Sequence, residues 1–229
     1  MERNDLTEGS ITGVLLRFAL PFLAANLLQS LYGAVDLLVV GRYCASASVA
    51  AVSTGTQVTQ IITSLISGLT VGSTVLIGSY VGARDEKTTG QIMGTSFFAF
   101  FLFGLILTGA MLALEKPILR LLHTPEQSFS LTLSYVSICA LGNVFICLYN
   151  AVSAVLRGYG DSRRPLYFVA VACGLNVVLD LLFVKYLHMD VAGTALATVI
   201  AQGSSMILAV LGTRTRRLPR RSAASRKMP

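Results

Sequence analysis

The chain has 229 residues, 54% of them hydrophobic and only 13% charged, with a formal net charge of +7. Soluble domains carry about 25% charged residues, so this chain has too little polar surface to cover a soluble globule of its size. The same composition excludes a disordered chain and a secreted disulfide scaffold. The positive charge would suggest a nucleic-acid partner if it were spread over the chain. It is instead confined to one end: seven basic residues and no acid lie between Arg214 and Pro229, and the remainder is formally neutral. No nucleic acid is expected as a partner.

A bilayer span needs about 20 mostly apolar residues, and the charge-free stretches mark such spans in chain order. The N-terminus, residues 1–12, opens Met1-Glu2-Arg3-Asn4-Asp5. Acids stand where a signal peptide carries bases, so no cleaved signal peptide is expected. A first helix is predicted at 13–41. Its one charge after Arg17 is Asp36, and Pro21 removes a backbone donor and predicts a kink. Asn26, Gln29 and Tyr32 add polar atoms to it. A second helix is predicted at 47–80, within a run from Tyr43 to Ala83 that has no charge. That run is too long for one perpendicular span and predicts a connecting loop plus a long, tilted span, with an interfacial segment as the alternative. A third is predicted at 90–114.

The fourth helix, predicted at 127–156, carries Asn143, Tyr149, Asn150 and Ser153, with Tyr135 on another face. The fifth, predicted at 165–187, holds Asn176 and Asp180 one turn apart on one face. The sixth, predicted at 191–212, has Thr198 and Gln202 one turn apart. Residues 213–229 form a basic tail, expected to be cytoplasmic and disordered. The fold class is therefore all-α, a polytopic membrane protein with six transmembrane helices in one lobe spanning 13–212.

Basic residues set the orientation. With the N-terminus inside, the inner segments carry Arg3, Arg17, Arg84, Lys87, Arg157, Arg163 and Arg164 besides the tail; the outer loops carry Arg42, Lys116, Arg120 and Lys185. Both termini are expected in the cytoplasm and the protein in the cell inner (plasma) membrane. Cys44, Cys139, Cys147 and Cys173 have no C-x-x-C spacing and are expected as packed thiols. No phosphate loop, nucleophile elbow or zinc motif is present, so no enzyme and no cofactor are expected.

The chemistry lies with the two intramembrane acids. An acid at a span centre costs about 2.5–3.5 kcal/mol on insertion scales and is a functional candidate by default. The Asn176 amide oxygen and the Asp180 carboxylate offer hard oxygen ligands for a small cation. The same pair can hold a proton by hydrogen bonding. If Asp36 shares their pocket, two bare carboxylates repel, and a bound proton or cation relieves the repulsion. Acidic in-span charges also favour cationic cargo.

Four segments carry a family resemblance: Leu20-Pro21 with Leu31-Tyr32-Gly33-Ala34-Val35-Asp36-Leu37-Leu38-Val39-Val40-Gly41; Val81-Gly82-Ala83-Arg84-Asp85-Glu86-Lys87; Leu156-Arg157-Gly158-Tyr159-Gly160-Asp161-Ser162-Arg163-Arg164-Pro165; and Asn176-Val177-Val178-Leu179-Asp180. In this order and spacing, over roughly residues 8–212, the chain resembles the N-terminal lobe of MATE (multidrug and toxic compound extrusion) transporters. The resemblance implies a secondary antiporter that exports cationic or amphipathic organic compounds in exchange for Na⁺ or H⁺. It implies a cation or proton site at Asp36, Asn176 and Asp180, which would be metal ligands if the ion is Na⁺, with Thr198 as a further ligand. Gln29 and Asn150 are implied as lining the substrate cavity, and Tyr135 is assigned there too.

Family members have two six-helix lobes. The partners implied are the lipid bilayer, small organic cations or drugs, and either a missing second lobe or a parallel homodimer. The basic run after Gly212 stands where a second lobe would begin and is expected to mark a truncated product. Two alternatives are a non-transporting partial gene product and a lipid-linked precursor flippase of related fold; a cavity lined by many Arg or Lys residues would favour the flippase.

Overall fold

The computed structural model describes residues 11–214. The expected N-terminal segment and basic tail lie outside the described residues, apart from Ile11, Thr12, Thr213 and Arg214 at the ends of the first and last helices. Six long apolar helices make up the described chain: α1 (Ile11–Tyr43), α2 (Ser46–Gly82), α3 (Glu86–Leu121), α4 (Glu126–Gly158), α5 (Arg163–Asp180) and α6 (Asp190–Arg214). Helices are imposed by the solvent, because lipid offers no partner to a backbone N–H or C=O. A π-helical segment, Leu181–Tyr186, continues α5. The protein is an all-α polytopic membrane protein.

The helices outrun their charge-free cores. At 1.5 Å per residue a helix of 36 residues is about 54 Å long, well beyond a hydrocarbon core of about 30 Å. In α3 the helix passes through Glu115, Lys116, Pro117 and Arg120 before ending. These charges mark the membrane edge, and a backbone already in helical register continues past it into water. The other end of α3 begins at a true cap: the Asp85 carboxylate accepts from the Thr88 N–H at 3.0 Å.

Two of the resembling segments are tight helix-to-helix turns. Gly160 has φ 83°, the left-handed conformation that ends α4. The Asp161 N–H then reaches back to the Leu156 carbonyl at 2.9 Å. The Asp161 carboxylate accepts from the N–H groups of Arg163 and Arg164 at 3.2 Å each and pairs with the Arg164 guanidinium at 2.8 Å, starting α5. At the end of α2, Arg84 takes the left-handed position with φ 60° and Asp85 caps the next helix.

Helix α4 is the centre of the lobe, packing against α2, α3 and α6. In α4, 44% of the most apolar stretch is buried, against 17% in α2. One apolar cluster joins Val40, Ala51, Val52, Leu119, Val136 and Val191 near one end; another joins Tyr149, Val152, Leu156, Val169 and Ala209 near the other. Helix α1 lies on α5 and α2. Between these two apolar layers are the polar residues of the site.

Candidate cation site and polar cleft

Five helices converge on Asp36, which is 1% exposed. Its Oδ2 accepts from the Tyr135 hydroxyl of α4 and from the Thr198 hydroxyl of α6, each at 3.1 Å. Its Oδ1 accepts from the Asn176 amide of α5 at a long 3.5 Å, and the same amide points at the Thr198 oxygen at 3.4 Å. From α2, Thr56 Oγ1 lies 3.4 Å from the Tyr135 hydroxyl. The Asp180 carboxyl sits beside that of Asp36, close enough for one proton to bridge them.

The two carboxyls differ in their partners. Asp36 is ringed by donors. Neither oxygen of Asp180 has a donor, and neither does the Asn176 Oδ1; Asp180 and Asn176 are fully buried. An unpaired buried carboxylate is among the costliest groups a protein can hold. The arrangement thus presents three orphaned hard oxygens on one face of α5 beside a second carboxylate. A proton between the carboxyls, or a small cation among these oxygens, satisfies them all.

Local geometry explains why these side chains meet. The α-helical part of α5 ends at Asp180, and the next residues widen into the π turn, where the Leu187 N–H bonds the Leu182 carbonyl at 3.0 Å. Such widened turns recur at functional sites because they re-aim side chains. On α2, Gly55 lies against the ring of Tyr135, and a Cβ there would overlap the ring carbons. Glycine at this position is what lets α4 bring the tyrosine hydroxyl to Asp36.

Of the residues singled out in the sequence, Asp36, Asn176, Asp180 and Thr198 come together here. Tyr135 was assigned to the substrate cavity, but the structure puts it in this cluster. Pro21 lies inside α1, which remains helical from Ile11 to Tyr43, so the expected kink does not break the helix.

Gln29 and Asn150 line a separate polar cleft. It is bounded by Phe22, Ala25, Asn26 and Gln29 of α1, Ser67, Thr70 and Val71 of α2, Tyr149, Asn150 and Arg157 of α4, and Val169 of α5, with a cavity volume of about 60 Å³. Asn150 is already engaged, accepting from Thr70 at 3.2 Å and donating to the Ile146 carbonyl at 2.9 Å. Among the described residues no acid lines this cleft. The acidic in-span charge that pointed to cationic cargo therefore belongs to the Asp36 cluster, and the charged residue at the cleft is Arg157. Sequence reading missed Arg157 and Thr56 as site residues. Arg157 reads as an inner-loop charge, and only its direction in the fold turns it inward.

The described residues thus form a six-helix membrane lobe with a buried carboxyl pair and a separate polar cleft. The MatE family model matches residues 21–182, and the chain belongs to that family. It is 32% identical over 209 residues to "Probable multidrug resistance protein YpnP" of Bacillus subtilis (strain 168), covering 90% of this chain and 46% of the relative. It is 29% identical over 193 residues to "Probable multidrug resistance protein NorM" of Thermotoga maritima, covering 82% and 41%. Among solved structures, "Crystal structure of MATE in the bent conformation" superimposes with a TM-score of 0.86 at 26% identity, covering 92% of this chain and 47% of that one. The outward-facing conformation of a multidrug resistance MATE family transporter of the MOP superfamily gives 0.85 at 27%, covering 95% and 48%. The chain spans about half the length of the curated relatives it matches.

Proposed function

We propose that this chain is one lobe of a cation-coupled antiporter that exports amphipathic organic compounds in exchange for Na⁺ or H⁺. The observation that carries the reading is the buried pair Asp36 and Asp180, one with donors and the other with none. The coupling ion binds at Asp36, Asn176, Asp180 and Thr198, and cargo binds in the cleft beside Gln29 and Asn150. Ion occupancy removes the repulsion between the carboxyls and lets α1, which bears Asp36, repack against α5. That repacking alters the cleft, giving the ion a differential effect on cargo affinity, which coupling requires. The lobe works in the cell inner membrane with both termini cytoplasmic, together with a second lobe or a parallel copy of itself.

The test is cation-dependent stability of the purified chain in neutral detergent. A ligand that binds only the folded state, at about 100 times its dissociation constant, stabilises by about 2.7 kcal/mol. Heat unfolding is expected to shift upward with sodium chloride over choline chloride, or with acidification. Asp180→Asn and Asp36→Asn each abolish the shift. A wild-type chain indifferent to both sodium and pH overturns the reading.

A further inference from the structure

Arg157 occupies the cleft in a way that its place near the end of a membrane helix does not require. A terminal arginine ordinarily extends its guanidinium to the headgroups. Here the guanidinium carbon lies over the Phe22 ring of α1, 4.6 Å from its centre, and both residues line the cleft. Its Nε is buried without a hydrogen-bond partner. Among the described residues it makes no ion pair; the acid that follows in the turn, Asp161, is taken by Arg164.

The neighbours of Arg157 reinforce the same polarity. The Asn26 and Gln29 amides, which bring N–H donors, line the cleft with it. The single proton of the Thr70 hydroxyl is shared between the Ile66 carbonyl at 2.7 Å and the Asn150 oxygen at 3.2 Å. The Tyr149 hydroxyl donates to the Pro165 carbonyl at 3.0 Å. The cleft thus holds one full positive charge, an aromatic face, and amides and a hydroxyl (Asn26, Gln29, Ser67) that can turn their donors toward a bound group. The cavity volume of about 60 Å³ leaves room for a polar headgroup.

The geometry points to the cleft as a binding site for the oxyanion of an amphipathic molecule, a phosphate or carboxylate held by Arg157 with Asn26 and Gln29. A guanidinium fixed by stacking presents its N–H edge to such a group with little ordering left to do. The apolar body of the ligand then lies along the exposed side chains of α1, among them Leu23 and Leu27. A permanent organic cation meets the same charge as a repulsion. This inference rests on the reading of the cleft as the cargo site and narrows the cargo to molecules bearing an anionic group.

Calorimetric titration of the full chain in neutral detergent tests it with three probes of one chain length: dodecyl phosphate, laurate and dodecyltrimethylammonium. At least one of the two anions is expected to bind ten times or more tighter than the ammonium. Which of the two binds tells a phosphate headgroup from a carboxylate. Arg157→Gln is expected to lose tenfold or more of that affinity. Arg157→Lys keeps the charge but not the stacked fork, and is expected to fall between; it serves if the glutamine variant fails to fold. Ammonium binding at least as tight as that of both anions, lost in Gln29→Ala, overturns the oxyanion assignment while leaving the cargo site standing. Anion binding unchanged in both Arg157 variants overturns the assignment as well. No binding of any probe overturns the cargo site and the assignment together.

Discussion

The lobe holds two polar regions of opposite sign and opposite economy. Around Asp36 the charge is negative, buried, and supplied with donors from three other helices, yet its neighbour Asp180 has no partner. Around Arg157 the charge is positive, half-buried at a cleft, stacked on Phe22 and without a carboxylate among the described lining residues. An incomplete acidic site asks for a proton or a small cation, and an incomplete basic one asks for an anion. In the proposed reading, keeping the two apart in one lobe would let a cation and an amphipathic anion bind without neutralising each other directly. In the proposed function coupling would pass through helix movement, and α1, α2, α4 and α5 each contribute to both regions.

The comparison breaks most decisively at Asp180. Because its oxygens have no donor, Asp180→Asn removes the bare charge while keeping the volume, and the response of stability to sodium or acid is expected to vanish. Dodecyl phosphate titrated into the same variant sharpens the point. If Asp180→Asn also abolished anion binding, the two regions would form a single site and the separation drawn between them would fall.

Gly55→Ala comes next. The added methyl meets the Tyr135 ring, which must move or push α2 from α4. Overpacking of this kind costs about 1–3 kcal/mol, and it withdraws a donor from Asp36. Thermal unfolding should show the loss, and the cation response should weaken without disappearing, since Thr198 and Asn176 remain. Thr198→Val is expected to cost less, about 0.6 kcal/mol by analogy with other hydrogen bonds between membrane helices. A double-mutant cycle with Asp36→Asn checks it: additivity would mean that the 3.1 Å hydrogen bond between Thr198 and Asp36 contributes nothing.

The six spans were legible because lipid penalises charge, so charge-free stretches announce them. The exception is the extent of α3, which was expected to end at 114 but persists through Glu115, Lys116 and Arg120 to Leu121. Asn176 and Asp180 were legible as one face because their spacing is local. That Asp36 joins them was legible only through the family resemblance, since nothing local ties α1 to α5. The Tyr135 contact with Asp36 was not legible, because its reach depends on Gly55 of another helix. The π turn after Asp180 leaves no mark on the apolar pattern. Arg157 was hidden by its own clearest signal: near a span end, an arginine is read as a marker of topology, and whether it turns inward is decided by Phe22 across the cleft.

The smallest expected effect is at Asp85, which supplies the reference for both regions. It is a carboxylate outside the spans, fully exposed, with the Thr88 N–H and hydroxyl as its donors. Those hydrogen bonds hold it below its ordinary value of 3.8. Its contribution to the start of α3 is therefore complete above that value and is lost as the pH falls through the lowered one. Water competes for every bond it makes, so the effect is local. Asp85→Ala should speed hydrogen exchange at the Thr88 amide and its neighbours in the first turn of α3. It should leave the cation response and anion binding as they are. If it altered the cation response, the Asp36 cluster would be sensitive to charge far outside its own helices. Its behaviour could then no longer be assigned to the unpartnered oxygens of Asp180.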